Sequence, residues 1–199
     1  MNKILFIIIL FISPLTLADV NLKKFSIEGI SIGDSVANYF PGREITKNIV
    51  KQPDLTDEFY VAHFNKHKSF SKFDQIYFVI NPSTENVLFS IEGMSAFIDF
   101  KQDIEKCFKE KDSFFEQIVN IYKQEINEKL IDINTAIKIH PSDLTGKSTY
   151  EQTDIKFPNG FIRIACYDMR ANSETNDALI LDFFTEDVDR WLQNESKKT

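Results

Sequence analysis

Apolar and polar residues alternate with a period of two along most of the chain, and one long stretch departs from that rhythm. Glu58 to Phe64 places Phe59 and Val61 on one face and Tyr60, Ala62 and Phe64 on the other. Gln75 to Ile80 sets Ile76, Phe78 and Ile80 against Tyr77 and Val79, and Asn86 to Glu92 continues past Gly93 towards Phe100. Asn81-Pro82-Ser83-Thr84 is a turn signal, so this order predicts an antiparallel meander. The period then changes. Ile104, Cys107, Phe108, Phe114, Phe115, Ile118, Tyr122 and Ile126 recur at helical spacing, which predicts one long helix over about 102–128. Asp103 and Glu105 near its start and Lys123 and Lys129 near its end have the signs that the helix dipole favours. Alternation returns over Thr149 to Phe157 and Phe161 to Asp168, around the hairpin signal Pro158-Asn159-Gly160. Asp177 to Phe184 reads as another strand, with Thr185 capping a last helix that runs through Leu192.

Shorter elements precede these. Lys24 to Glu28 alternates as a strand, and Ser31 with Asp34 has the spacing of a capping box before a short helix carrying Val36, Tyr39 and Phe40. Pro41 ends that run, and a second short helix is expected over Arg43 to Val50. Phe25-Ser26-Ile27-Glu28-Gly29 returns as Phe89-Ser90-Ile91-Glu92-Gly93, but the likeness stops there, which predicts two strands ending in similar glycine bulges. Strand runs around one long helix define an α+β fold. The expected architecture is an antiparallel sheet of about six to seven strands packed against that helix, with short N-terminal and C-terminal helices.

The N-terminus follows neither period. Lys3 precedes an unbroken apolar run from Ile4 to Ile12, Ser13-Pro14 interrupts it, and Leu15-Thr16-Leu17-Ala18 leads to Asp19. This is the layout of a secretory signal peptide over 1–18, cleaved between Ala18 and Asp19. A membrane span needs about 20 apolar residues, and no Cys follows Ala18 to carry a lipid. The expectation is therefore an exported protein, periplasmic or secreted, with no stable membrane anchor after cleavage. With no linker or shift in composition beyond residue 18, 19–199 reads as a single domain. The chain of 199 residues is 43% hydrophobic and 27% charged, a mix that excludes disorder and a many-pass membrane protein. Its net charge of −7 argues against nucleic acid and anionic lipid as partners.

Export gives meaning to the two cysteines. Cys107 lies on the apolar stripe of the long helix, and Cys166 shares a strand face with Ile162 and Ile164. A disulfide would pin helix to strand; two buried thiols are the alternative.

Little else carries chemistry. His63 and His67 are four apart but straddle a strand end and a turn, so with His140 they read as surface or turn histidines rather than a zinc site. Thr145-Gly146-Lys147-Ser148-Thr149 resembles the end of a phosphate loop, yet Pro141 stands where the leading glycine belongs. Cys166-Tyr167-Asp168 lacks a Cys–His signature, and no serine elbow occurs. Asp182, Glu186, Asp187 and Asp189 read as the acidic start of a helix. No catalytic residue, metal or cofactor is expected. The informative feature is an excess of Phe, 19 residues, together with an aromatic second sheet face. Tyr60, Phe64, Tyr77, Phe161, Arg163 and Tyr167 are its candidate interaction residues, accompanied by Ile180 and Phe184. Either the short helices cover this face or it meets a partner.

At Ile27-Glu28-Gly29-Ile30-Ser31-Ile32-Gly33-Asp34-Ser35 and Ile164-Ala165-Cys166-Tyr167-Asp168 the chain resembles a family of small exported bacterial proteins of unknown function. The stretch Gly29 to Ser35 is also loosely similar to the opening of small lipoproteins that assist outer-membrane assembly, which implies a protein-interaction role with no catalytic residue. Three readings follow. The first is a non-enzymatic exported module that binds another envelope protein or a small ligand. The second is an envelope-assembly or inhibitor-like accessory protein, marked by an uncovered aromatic face or a free sheet edge. The third is a hydrolase, which needs a pocket where groups such as His63, His140 or Asp168 converge.

Overall fold

The computed structural model describes residues 21–50, 58–82, 89–141, 143, 145–169 and 176–195. Ala18 and Asp19, and the start of the strand expected from Asn86, lie outside the described residues. The fold is α+β, built on one antiparallel sheet of eight strands. Helix α1 (Gly42–Asn48) leads into a two-residue strand, β1 (Ile49–Val50), followed by β2 (Tyr60–Asn65), β3 (Gln75–Asn81) and β4 (Ser90–Lys101). Then come α2 (Ile104–Ile121), α3 (Lys123–Asn127), β5 (Asp132–Ile139), β6 (Thr149–Phe157), β7 (Gly160–Asp168), β8 (Asp177–Thr185) and α4 (Glu186–Glu195). Across the sheet the order is β1-β2-β3-β4-β8-β7-β6-β5. Two four-stranded meanders thus run in from opposite edges and meet where β4 pairs with β8.

The eighth strand count corrects the expected six to seven. β1 and β5, one at each edge, are the additions. The expected strand at Lys24 to Glu28 is instead a 3-10 turn (Leu22–Lys24) and a single bridge between Ile27 and Ile30. Glu28 and Gly29 both take positive φ there, so the first of the two similar segments is a tight turn. The second starts at Phe89, which takes a positive φ, and enters β4, which runs on past Gly93; there the register with β3 shifts between Val79 and Ile80. The two segments therefore are not matching strand ends. The Ser31–Asp34 box closes a turn, its Asp34 carboxylate accepting the Ser31 N–H at 2.9 Å, and Ser35 caps the 3-10 turn Val36–Asn38.

The long helix also divides. Tyr122 leaves helical geometry (φ −104°, ψ 21°) between α2 and α3. That break sends its ring into the core against Phe157, 4.8 Å between centroids, while its hydroxyl donates to the Asn21 and Leu22 carbonyls at 3.1 and 3.2 Å. A buried phenol needs such a partner, and a straight helix would not have aimed it there. Asp103 caps α2 by accepting the Lys106 N–H. Cys107, Lys111, Phe114 and Ile118 form the buried stripe of α2, which packs on β7 and β8. Cys107 and Cys166 are joined by a disulfide across that contact, with Cα atoms 5.9 Å apart. One turn along, Lys111 is buried and pairs with Glu151 at 2.7 Å, the residue directly opposite Cys166 on β6.

These elements assign the two faces of the sheet. The first face carries Phe64, Ile76, Phe78, Met94, Leu181, Phe183, Ile164 and Ile162, all buried. The N-terminal segment covers one half of it through Phe25 and Phe40, and α2 covers much of the other. Phe40 stacks on Phe64 at 4.3 Å and Phe25 on Phe183 at 4.9 Å. Among the described residues, one helix packs on the second face. α4, capped by Thr185 Oγ1, buries Val188 and Trp191 against Phe59, Val79, Val61 and Phe184.

Candidate functional site

Strand register arranges the second face in rows that cross the sheet. The row beneath α4 is apolar: Val61, Val79, Gly93, Phe184 and Phe161 are successive cross-strand partners. The next row, clear of that apolar cluster, is polar. His63, Tyr77, Ser95, Asp182, Arg163, Asp154 and Asn134 stand directly opposite one another on β2, β3, β4, β8, β7, β6 and β5 in turn. Beyond it lie Phe97, Ile180, Ala165 and Gln152, then Tyr167 and Tyr150.

The polar row is internally bonded. Ser95 Oγ donates to Asp182, and Arg163 makes a forked contact with Asp154, Nε at 2.7 Å and the second nitrogen at 3.3 Å. Gln152 Nε2 donates to the same Asp154 carboxylate at 2.8 Å. The Arg163 guanidinium lies 5.3 Å from the Phe161 ring centre. Aromatic groups flank both ends. His63 stacks on Tyr77 at 4.0 Å and shares a hydrogen bond with Gln75, while Tyr77 meets the edge of Phe97 at 5.5 Å. Tyr150 and Tyr167 stack at 5.0 Å, with His140 5.8 Å from Tyr167.

Electrostatics follow from this crowding. Asp182 is half-buried, and its carboxyl accepts from Ser95. Burial raises its pKa to about 6, against the Ser95 hydrogen bond and the Arg163 charge, which pull it down. Burial works against the Arg163 charge too, yet the Asp154 carboxylate outweighs it and holds the guanidinium above its ordinary value. Tyr167 is pushed up to about 12 by burial and then by the nearby Asp182 charge.

Asp182 makes stability fall with pH over a defined window. Between its ordinary value of 3.8 and about 6 the folded chain keeps a proton that the unfolded chain has released. Raising pH through that interval therefore favours unfolding, and above it the penalty is constant. The expected loss is roughly 2–3 kcal/mol between pH 4 and 7. Urea midpoints measured across that range check it, because Asp182→Asn should flatten the slope. An unchanged slope in the variant would remove Asp182 as its source.

The structure brings together four of the six expected interaction residues: Tyr77, Phe161, Arg163 and Tyr167 are on the second face. Tyr60 and Phe64 are not. They share a face with Ala62, whose partner Phe78 is in the main core; Phe64 is buried under Phe40, and Tyr60 is exposed on the first face. The faces of β2 are inverted relative to expectation because Phe59 and Val61, taken as its core side, pack under α4. Asp182 is also reassigned. It sits in the middle of the row rather than at a helix start, and Glu186, Asp187 and Asp189 are the acids in the first turn of α4. Ser95, Asp154 and Asn134 carried no individual signal, since each is an ordinary polar residue until register aligns it.

The other chemical candidates stay apart. His63 on β2 and His140 just past β5 are separated by six strand spacings, about 29 Å across the sheet. Asp168 is on the Cys166 side of β7. Among the described residues, no three His, Cys, Asp or Glu side chains are grouped to hold a metal ion. The phosphate-loop look-alike is a turn whose donors serve its own acid: Asp143 accepts from the Thr145 N–H and hydroxyl and from the Ser148 N–H. Those bonds, the Thr145 hydroxyl first, hold Asp143 far below the usual carboxylate range. One surface pocket lies by Arg43, Lys47 and His67, and another by Leu22, Gly33 and Asn159, both away from the polar row. Among the described residues no helix is long and apolar enough to cross a membrane.

Comparison with known proteins gives no match: no family model, no curated protein and no solved structure is significantly similar to the chain.

Proposed function

We propose that the chain is an exported, non-enzymatic interaction module that recognises another envelope protein through the open part of its second sheet face. The observation that supports this is the polar row with its aromatic flank, left beyond the cluster that α4 buries. Tyr and Arg are the residue types that concentrate binding energy at protein interfaces. Here Arg163 is already fixed by Asp154, and Tyr167 by Tyr150, so a partner would immobilise few free rotamers. The surface is a broad sheet face, a shape suited to a protein partner, whereas small molecules are held in concave pockets. The separation of His63 from His140 weighs against the hydrolase reading. Export rests on the pattern from Lys3 to Asp19.

A photo-crosslinking side chain placed at Phe97 or Tyr150 in cells making the full chain tests the proposal. A covalent adduct of defined mass is expected from both positions in the envelope fraction, weakened by Arg163→Ala. The same group at Glu116, exposed on α2, should give none. Adducts of equal yield from all three positions, or from none, would overturn the assignment of this face.

A further inference from the structure

The two edges of the sheet are built differently. β1 is two residues long and follows directly from α1. β5 is eight residues long, pairs with β6 in unbroken register, and is the outermost strand of the other edge. Long edges usually carry a bulge, a proline or charged side chains, Lys above all, that discourage further pairing. β5 has no bulge and no proline, and its two charges, Asp132 and Lys138, are of opposite sign and lie on the second face. Three of its four first-face side chains are apolar and open to solvent, with Ile133, Ile137 and Ile139 exposed by 38%, 72% and 61%; the fourth is Thr135.

We infer that β5 pairs antiparallel with β5 of a second copy of this chain, about a two-fold axis at Thr135. Main-chain direction selects the residues available. The His140 N–H donates to the Ser148 carbonyl at 2.9 Å, continuing the β5–β6 ladder. Antiparallel ladders alternate, so even-numbered residues of β5 turn their main-chain groups towards β6 and odd-numbered ones turn theirs to the open edge. An axis at Thr135 pairs odd with odd: Thr135 with itself, Ile133 with Ile137 of the second copy, and Ile137 with Ile133. That gives about six new main-chain hydrogen bonds. It also sets the exposed isoleucines beside each other on one face.

Charge complementarity fixes this register. On the opposite face the same axis puts Asp132 directly across from Lys138 of the second copy, and Lys138 across from Asp132. Moving the axis by one residue to position 136 sets Lys138 against Asn134 and Asp132 against His140, just past the strand's end. Moving it to 134 sets Asp132 against Ala136. Only the Thr135 axis forms two opposite-charge pairs from the single acid and single base of the strand. The axis is perpendicular to the sheet, so the two polar rows end up on the same side of one continuous surface.

Sedimentation velocity of the chain from Asp19, across a concentration series, tests the pairing. A reversible dimer is expected. Because symmetry doubles each substitution, Asp132→Lys or Lys138→Asp alone should weaken the dimer by roughly tenfold. The double reversal should restore it, which also shows that the single variants fold. Ile137→Lys should leave a monomer with the parent's thermal unfolding. A monomer at every soluble concentration would overturn the inference, and so would a dimer indifferent to the single charge reversals.

Discussion

Replacing Cys107 and Cys166 together by alanine is expected to lower the unfolding free energy by about 4 kcal/mol. The disulfide spans 59 positions of sequence, and a loop of that length loses much of its freedom in the unfolded chain when its ends are joined. For a domain of this size the melting temperature should fall by roughly 8–16 °C. Both sulfurs are in the core, so the double substitution is preferable to serine, which would bury a hydroxyl. The effect should be mostly global, because the bridge crosses the contact by which α2 holds the β7–β8 side of the sheet. Urea unfolding of the parent with and without reductant, and of the double variant, measures it. The reduced parent and the variant should unfold at similar midpoints. If all three midpoints coincide, packing along Cys107, Phe114 and Ile118 holds α2 without help from the bridge.

That bridge was legible because two independent periods point at it. The helical stripe places Cys107 inward and strand alternation places Cys166 with Ile162 and Ile164, and both assignments agree with the burial found. The boundaries of β3, β6, β7 and β8 were legible for a different reason: each is an apolar or alternating run bounded by polar, turn or proline residues. β5 carries the same alternation in Ile133, Thr135, Ile137 and Ile139, so its presence was readable. What hides it is its setting, a strand following two helices with its apolar side unburied. The break at Tyr122 was not readable, because the stripe continues through it into Ile126, and only the buried hydroxyl and its acceptors explain the turn.

The surface proposed for interaction was legible in composition but not in arrangement. Alternation assigns residues to two faces of each strand without saying which face is the core when both are apolar. β2 is such a case, with Phe59 and Val61 on one side and Ala62 and Phe64 on the other. The polar row is harder still. Ser95, Asp182, Arg163 and Asp154 come from four strands whose order across the sheet departs from their order in sequence. Their alignment depends on the join between the two meanders, a long-range pairing that leaves no local trace.

The adjacent residues Phe183 and Phe184 turn this ambiguity into a measurable contrast. Phe183→Ala is expected to cost about 3–5 kcal/mol, and Phe184→Ala roughly 1–2 kcal/mol. Phe183 is fully buried on the first face, stacked on Phe25, so its loss leaves a cavity and loosens the N-terminal segment. Phe184 is half-buried on the second face, where its ring lies over Gly93 and meets Phe161 edge-on. Trp191 separates the two effects without reference to stability, since it is the chain's single tryptophan and belongs to the α4 cluster that includes Phe184. Under native conditions Phe184→Ala should shift Trp191 emission to longer wavelength as α4 loosens, while Phe183→Ala should leave it unchanged despite the larger loss of stability. Equal costs, or a Trp191 shift in the Phe183 variant alone, would mean that the two faces have been exchanged. The Phe excess is therefore two populations. One is a core covered by the N-terminal segment and α2, and the other is a thinner layer that α4 covers only at one end, with the polar row beside it.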